Sequence, residues 1–244
     1  MALIVIRLIP NFVACLRFMK RIITILLFSV PILVFSQFGV SEFYVTGNLG
    51  VGMGMNSYTY QTIEEGASQD HPKFVQLDLG SGFAPELGLG LKLTRDVYVE
   101  TSVSYIINQD FYFAKSGKKT IEQGFSFNRF TIQLNGKYYV EVNKSFLLDF
   151  LGGISYSIPE ELHVKVGAAD EFIQYAGSVG FQGGFGGNYV VDVVTFRAGI
   201  RYRLERFTIK PKQKLPMDFD KINPNFQNIS SSGIDLVFGI QYNF

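Results

Sequence analysis

The stretch Ile234-Asp-Leu-Val-Phe-Gly-Ile-Gln-Tyr-Asn-Phe244 alternates apolar residues with polar or small ones. Ile234, Leu236, Phe238, Ile240, Tyr242 and Phe244 share one parity, and Asp235, Val237, Gly239, Gln241 and Asn243 share the other. Successive side chains of an extended strand point to opposite faces, so these two sets lie on opposite sides of one sheet. The apolar side must be covered by a protein core or by lipid, and the preceding chain decides between them.

The same alternation returns along the sequence. Phe43 to Met55 sets Phe43, Val45, Leu49, Val51 and Met53 against Tyr44, Thr46, Asn48, Gly50, Gly52 and Gly54. Glycines on a solvated face would weaken a strand to no purpose, whereas inside a narrow barrel they leave room for large side chains from the opposite wall. Further strands are expected at 75–93, at 97–107 after the turn Thr94-Arg95-Asp96, and at 125–140, where a bulge near Asn128 would bring Phe125 and Phe127 into phase with Phe130. Three more follow, at 147–158, from Phe172 to Phe185, and at 189–205 after the turn-forming Gly186-Gly187-Asn188. With the terminal strand, the expected architecture is all-β, with eight antiparallel strands.

Two independent features turn this pattern into a transmembrane up-and-down barrel. Long connections, near 56–74, 114–124, 159–171 and 207–232, alternate with short turns, at 94–96, 141–145 and 186–188. A membrane barrel has long loops at one rim and short turns at the other, and a sandwich has no reason to sort them. The charges are sorted too: Asp78, Glu86, Lys92, Glu100, Arg129, Lys137, Asp149, Arg197, Arg201, Arg203, Glu205 and Asp235 all fall on the face opposite the Leu, Val, Ile, Phe and Tyr positions. A Lys or Arg on the lipid side at the bilayer midplane costs ~2–4 kcal/mol, which explains the sorting. Eight strands enclose space for side chains only, so these charges are expected to pair with one another as a polar plug. The competing reading is a narrow conducting pore lined by Arg197, Arg201 and Arg203.

A formal net charge of +1 removes the electrostatic case for nucleic acid binding, and the single Cys15 allows no internal disulfide. Lys20-Arg21 followed by the apolar run Ile22 to Phe35, interrupted by Pro31, has the form of a signal peptide rather than a spanning helix. Residues 1–36 are therefore expected to be removed, with Met19 as the better initiator, leaving 37–244 as the barrel domain.

Chemical sites are sparse. His71 and His163 fall in outer loops, and no Ser lies near His163 at a spacing that would make a nucleophile and base pair, so no catalytic residue is assigned and no enzyme is expected. Asp218-Phe219-Asp220 lacks the ligand spacing of a calcium loop, and no metal is assigned. The glycine-rich runs 50–54 and 183–187 do not lead from a strand into a helix, so no nucleotide cofactor is expected. Phe43, Tyr58, Tyr112, Phe125 and Tyr242 stand at expected strand ends, where membrane barrels carry aromatic girdles.

Together, the closing Phe238-Gly-Ile-Gln-Tyr-Asn-Phe244, the glycine-rich first strand and the signal peptide resemble the small outer-membrane β-barrel superfamily, of the OmpA/OmpX and PorT-like types. The resemblance implies a place in the outer membrane of a Gram-negative bacterium, in contact with its lipids and lipopolysaccharide. It implies that Phe238, Ile240, Tyr242 and Phe244 form an assembly signal for the barrel-assembly machinery. With the chain ending at Phe244, no cell-wall-binding domain is expected after the barrel. Function would reside in four outer loops, the last of them carrying Lys210, Lys212, Lys214 and Lys221 toward lipopolysaccharide, an envelope protein or a host surface. The alternative is transport, as a narrow pore or as an accessory barrel in protein secretion.

Overall fold

The computed structural model describes residues 42–62, 73–116, 119–166, 169–210 and 224–244. The signal peptide assigned to 1–36, the start at Met19, His71, the Asp218-Phe219-Asp220 run, and Lys212, Lys214 and Lys221 lie outside the described residues, as does the side chain of Tyr112. In chain order the strands are β1 (Phe43–Gly54), β2 (Ser57–Thr62), β3 (Lys73–Asp78), β4 (Gly82–Lys92), β5 (Val97–Ile106), β6 (Gln109–Ser116), β7 (Lys119–Ser126) and β8 (Arg129–Asn143). They continue as β9 (Phe146–Pro159), β10 (Leu162–Val166), β11 (Ala169–Ile173), β12 (Ser178–Val191), β13 (Val194–Leu204), β14 (Arg206–Thr208), β15 (Asn228–Ser230) and β16 (Gly233–Asn243), with a 3₁₀ turn at Pro224–Phe226 before β15.

Eight of these strands close a barrel, in the order β1, β4, β5, β8, β9, β12, β13, β16 and back to β1. Each barrel strand is antiparallel to the next barrel strand in the chain, and β16 closes on β1 with Tyr44 opposite Asn243 and Gly54 opposite Gly233. Closure pairs every strand edge, which is what a wall facing hydrocarbon requires. The seam ends with Phe244 stacked on Phe43 at 4.5 Å between ring centroids.

Facing follows the alternation. Ile200 is 40% exposed on the outer wall, while Arg201 and Glu100 are 4% and 1% exposed inside it. Glycine does for the lumen what the sequence suggested: a Cβ at Gly90 would lie 1.9 Å from the Tyr44 ring, so the tyrosine occupies the space that a side chain there would need.

The structure corrects several boundaries. The expected strand 75–93 is broken at Leu79-Gly80-Ser81, and its first part is β3, which pairs with β2 outside the barrel. Gly82, at φ +138°, makes the change of direction that a residue with a Cβ resists. Phe172 lies in β11 rather than in a barrel strand, and Gly186-Gly187-Asn188 continues β12. The turn falls instead at Asp192, whose φ of 56° is one that Asp tolerates better than most residues. Asn128 marks the passage from β7 into barrel strand β8, and the register irregularity lies at 141–143.

Among the described residues, what was expected as four loops is largely folded. β2 and β3 form a hairpin, β14 pairs with β15, and β6, β7, β10 and β11 build a four-stranded antiparallel sheet from two separate connections. These pieces share a core that includes Leu77, Leu79, Phe125, Phe127, Leu162, Val164, Tyr175, Phe207 and Ile229. Phe125 is thus a core residue and Tyr58 packs against that core, so neither belongs to a membrane girdle. The barrel carries a cap packed as a soluble protein is.

A direct check uses single cysteines at 200 and 201 in the reconstituted protein. A fluorophore at Ile200→Cys should be quenched by a lipid-phase quencher and one at Arg201→Cys should not. Equal quenching at both would contradict the assigned facing.

Candidate functional site

The lumen is built from the inward parity of all eight barrel strands, and its buried charges are balanced. Among the described residues, Arg129, Lys137, Arg197, Arg201 and Arg203 supply five buried cations, and Glu86, Glu100, Asp149, Glu205 and Asp235 supply five buried anions. Each cation is 9% exposed or less. An isolated charge in such a place costs several kcal/mol, so the contacts each makes matter.

The contacts fall into tiers along the barrel axis. Nearest the short turns, Arg197 Nη2 donates to Asp149 Oδ2 at 2.6 Å, Asn188 Nδ2 donates to Oδ1 of the same carboxylate at 2.7 Å, and Lys137 Nζ donates to Glu100. Lys137 also sits 5.7 Å from the centre of the Tyr44 ring. In the middle tier, Glu86 accepts from Arg201 Nη1 at 2.6 Å, from Asn48 at 2.8 Å and from Gln133 at 3.1 Å. Arg201 reaches Asp235 through Nε at 3.3 Å, linking this tier to the next. There Arg203 grips Asp235 with two parallel bonds, Nε to Oδ2 at 2.6 Å and Nη2 to Oδ1 at 2.9 Å, the planar fork that makes arginine suited to carboxylates. Arg129 donates to Glu205 at 3.0 Å, and Ser157 donates to the other oxygen of Glu205 at 2.8 Å.

The outermost tier is joined to the cap. Arg129 Nη1 donates to the Leu79 carbonyl at 3.3 Å, Ser231 Oγ donates to the same carbonyl at 2.6 Å, and Arg203 Nη2 donates to the Gly80 carbonyl at 3.1 Å. The turn that interrupts the second expected strand therefore lies across the outer mouth of the lumen and is held there by two lumen arginines.

Two of the twelve charges assigned to the lumen lie elsewhere. Asp78 accepts from the backbone N–H groups of Gly54 at 3.3 Å and Gly80 at 3.2 Å, so it fixes the turn under the cap. Lys92 lies at the rim of the short turns, paired with the exposed Glu42 at 2.7 Å and 5.9 Å from the Tyr98 ring centre. Both have the inward parity, but parity does not report height along the barrel. The polar residues Asn48, Gln133, Asn135, Gln182 and Asn188, which sequence reasoning did not single out, complete the charge tiers. For Gln133 and Asn135 the signal was present, since they share the parity of Arg129 and Lys137 on the same strand; β1 and β12 carry no charge that would mark Asn48, Gln182 and Asn188.

In the cap, burial drives the Tyr60 hydroxyl far above its ordinary range, reinforced by a hydrogen bond to Glu171, and burial does the same for Tyr175. Both phenols stay neutral in any medium the cell meets. His163 is on the outer face of the cap sheet, stacked on Phe172 at 4.5 Å and paired with Asp170 at 2.5 Å. Lys210 is exposed where β14 leaves the cap.

No family model matches the chain, and no curated protein matches it. Solved structures do. The outer membrane protein OprG of Pseudomonas aeruginosa is 15% identical, with 84% of this chain and 96% of that one covered, at a TM-score of 0.51. Neisserial surface protein A is 16% identical, with 84% and 99% covered, at a TM-score of 0.46. At such identities the likeness to OprG shows the fold alone: this chain is a closed eight-stranded barrel.

The lumen tiers predict a specific energetic response. Arg201→Met should leave Glu86 and Asp235 short of a partner and destabilise the folded barrel by ~3–5 kcal/mol. Arg201→Met with Glu86→Gln should recover part of that loss. Urea unfolding in lipid vesicles measures both, and a single variant as stable as the wild type would contradict the pairing.

Proposed function

We propose that this chain is an integral protein of the bacterial outer membrane whose lumen is a closed plug and whose working surface is the folded cap. The observation that carries this reading is the meeting of two features at one place. Five buried cations face five buried anions along the lumen, and the Leu79-Gly80 turn crosses its outer mouth under a packed apolar core. An ion entering this lumen would have to break charge pairs formed in low dielectric, which opposes conduction. A rigid barrel with a folded cap instead favours binding, because recognition residues are commonly displayed on segments held by a stable scaffold.

The apolar outer wall, with Leu49, Phe150, Phe185 and Phe238 each about half exposed, supports insertion in a bilayer. The closing strand, with Phe238, Ile240 and Tyr242 on that wall and Phe244 against Phe43, is the segment we assign to recognition by the barrel-assembly machinery. Lipopolysaccharide and an envelope or host surface protein are the partners we propose for the cap. Lys210, with Lys212, Lys214 and Lys221 of the same connection, supplies the cationic groups for phosphate.

Planar-bilayer recording separates this reading from transport through the lumen. The purified full chain should give no steady single-channel steps. Reproducible steps of one size would overturn the plug and favour the narrow-pore reading.

A further inference from the structure

Where the hairpin β2–β3 and the edge strand β6 leave the barrel, a cleft of about 540 Å³ opens between them at the foot of the cap, within the size range of small-molecule sites. Leu77, Phe83 and Phe125 line it with apolar surface, and Asp78, Asn108 and Asp110 stand among its polar groups. None of the six takes part in the paired lumen tiers.

Each of the three polar residues has an acceptor that the fold leaves open. Asn108 is 2% exposed, and its other polar atoms are served: its backbone N–H donates to Asn128 Oδ1 at 3.1 Å, its carbonyl accepts from the Phe127 N–H at 2.7 Å, and Nδ2 donates to the Asp78 carbonyl at 3.0 Å. Among the described residues nothing donates to Asn108 Oδ1, so a buried residue in the wall of the cleft keeps a spare acceptor. Asp78 takes one backbone N–H on each carboxylate oxygen, from Gly54 and Gly80, which leaves a lone pair on both. Asp110 is the residue out of place. Its register partner on β7 is Phe125, so the two share a face, and Phe125 packs into the cap core. A charge with core-facing parity at the open edge of a sheet breaks the local pattern, as functional residues do. Among the described residues no cation pairs with Asp78 or Asp110.

These acceptors select the chemistry of a ligand. Two carboxylates without a counterion repel phosphate and attract cations. A neutral saccharide would cover them without neutralising them, which a low dielectric penalises. A divalent metal asks for six or more oxygens, and among the described residues no third carboxylate or histidine joins the pair. A primary ammonium has three N–H donors and no acceptor, the complement of open carboxylate and amide oxygens, and the methylenes beside it suit an apolar wall.

We propose that this cleft binds a small linear polyamine, with one ammonium held by Asp78 and Asn108 Oδ1, the chain lying on Leu77 and Phe83, and a further ammonium beside Asp110. The site rests on the reading of the cap as the water-facing working surface. It gives that surface a cationic ligand, in a place separate from the lysines assigned to phosphate.

The hairpin register supplies the sharpest variant. Ser57 is exposed, lines the cleft and is the partner of Asp78 across the β2–β3 pair, so Ser57→Lys tethers an ammonium where that of the ligand would sit. Asp110→Asn removes one exposed charge while keeping the shape of the side chain, and it decides the matter if the lysine variant misfolds. Asp170→Asn removes an exposed carboxylate from the outer face of the same sheet and controls for general negative charge.

The purified full chain in a neutral detergent would be titrated with spermidine at low ionic strength and read by isothermal titration calorimetry. Wild type and Asp170→Asn should each bind one spermidine. Asp110→Asn should weaken binding by about fivefold, the upper end for an exposed ion pair, and Ser57→Lys by about tenfold or more. Unchanged affinity in both cleft variants, or an equal loss in Asp170→Asn, would overturn the site, as would the absence of binding by wild type. Calorimetry in detergent does not depend on whether the lumen conducts, so a failed amine site and a failed plug are read separately.

Discussion

Ten buried charges that must neutralise one another are the constraint on which the rest of this molecule depends. Lipid on the outside forbids them there, and the lumen of eight strands offers no bulk water to solvate them. Each must therefore meet a partner on another part of the barrel wall, adjacent or across the lumen, and that constrains how the strands are staggered. The fork of Arg203 on Asp235, between adjacent strands β13 and β16, and the reach of Arg201 from β13 to Glu86 on β4 are two such links. Pairing of this kind does not compete with apolar burial as a source of stability; its effect is to make one arrangement of the lumen far better than its neighbours, because any slip of register strands a charge.

The same constraint reaches the cap. Arg129 and Arg203 have guanidinium N–H groups left after their carboxylates are served, and these are spent on the Leu79 and Gly80 carbonyls. The cap is thereby fixed to the barrel by bonds that exist only when the lumen is correctly paired. Above that junction the physics changes from membrane to soluble protein. Phe127 meets Phe207 at 5.4 Å and Tyr175 at 5.7 Å, both edge to face, and β10 alternates Leu162, Val164 and Val166 inward with His163 and Lys165 outward, as a half-buried strand in water does.

The barrel was largely legible in the sequence because parity carries most of its information. Ile200 against Arg201 and Val99 against Glu100 could be assigned from alternation alone. Where parity is silent, the reading failed. Leu77 and Leu79 share the parity of Phe83 and Leu87, so a cap strand was read as one with a barrel strand despite Gly80-Ser81-Gly82 between them; a lipid-facing leucine and a core leucine look alike in sequence. Phe172 was also drawn into the barrel, although its parity is that of Ser178 and Gly180 rather than of Phe181 and Phe185. Gly186-Gly187-Asn188 has turn chemistry, but inside a narrow lumen glycine also serves close packing, and there a Cβ at Gly186 would lie 2.7 Å from Asp149 Oδ1. Asp78 and Lys92 show the remaining gap: face is local, whereas height and cross-barrel partner depend on how all eight strands are staggered.

The central claim, that the lumen is held by specific paired charges rather than by a general polar filling, is tested most directly at Arg129 and Glu205. Both are buried, 3.0 Å apart, and adjacent to the cap junction. A double-mutant cycle with Arg129→Met and Glu205→Gln, read by equilibrium unfolding in vesicles, should return a favourable coupling within the range of about 0.5–3 kcal/mol expected for groups in contact. Additive losses, with coupling near zero, would contradict the account.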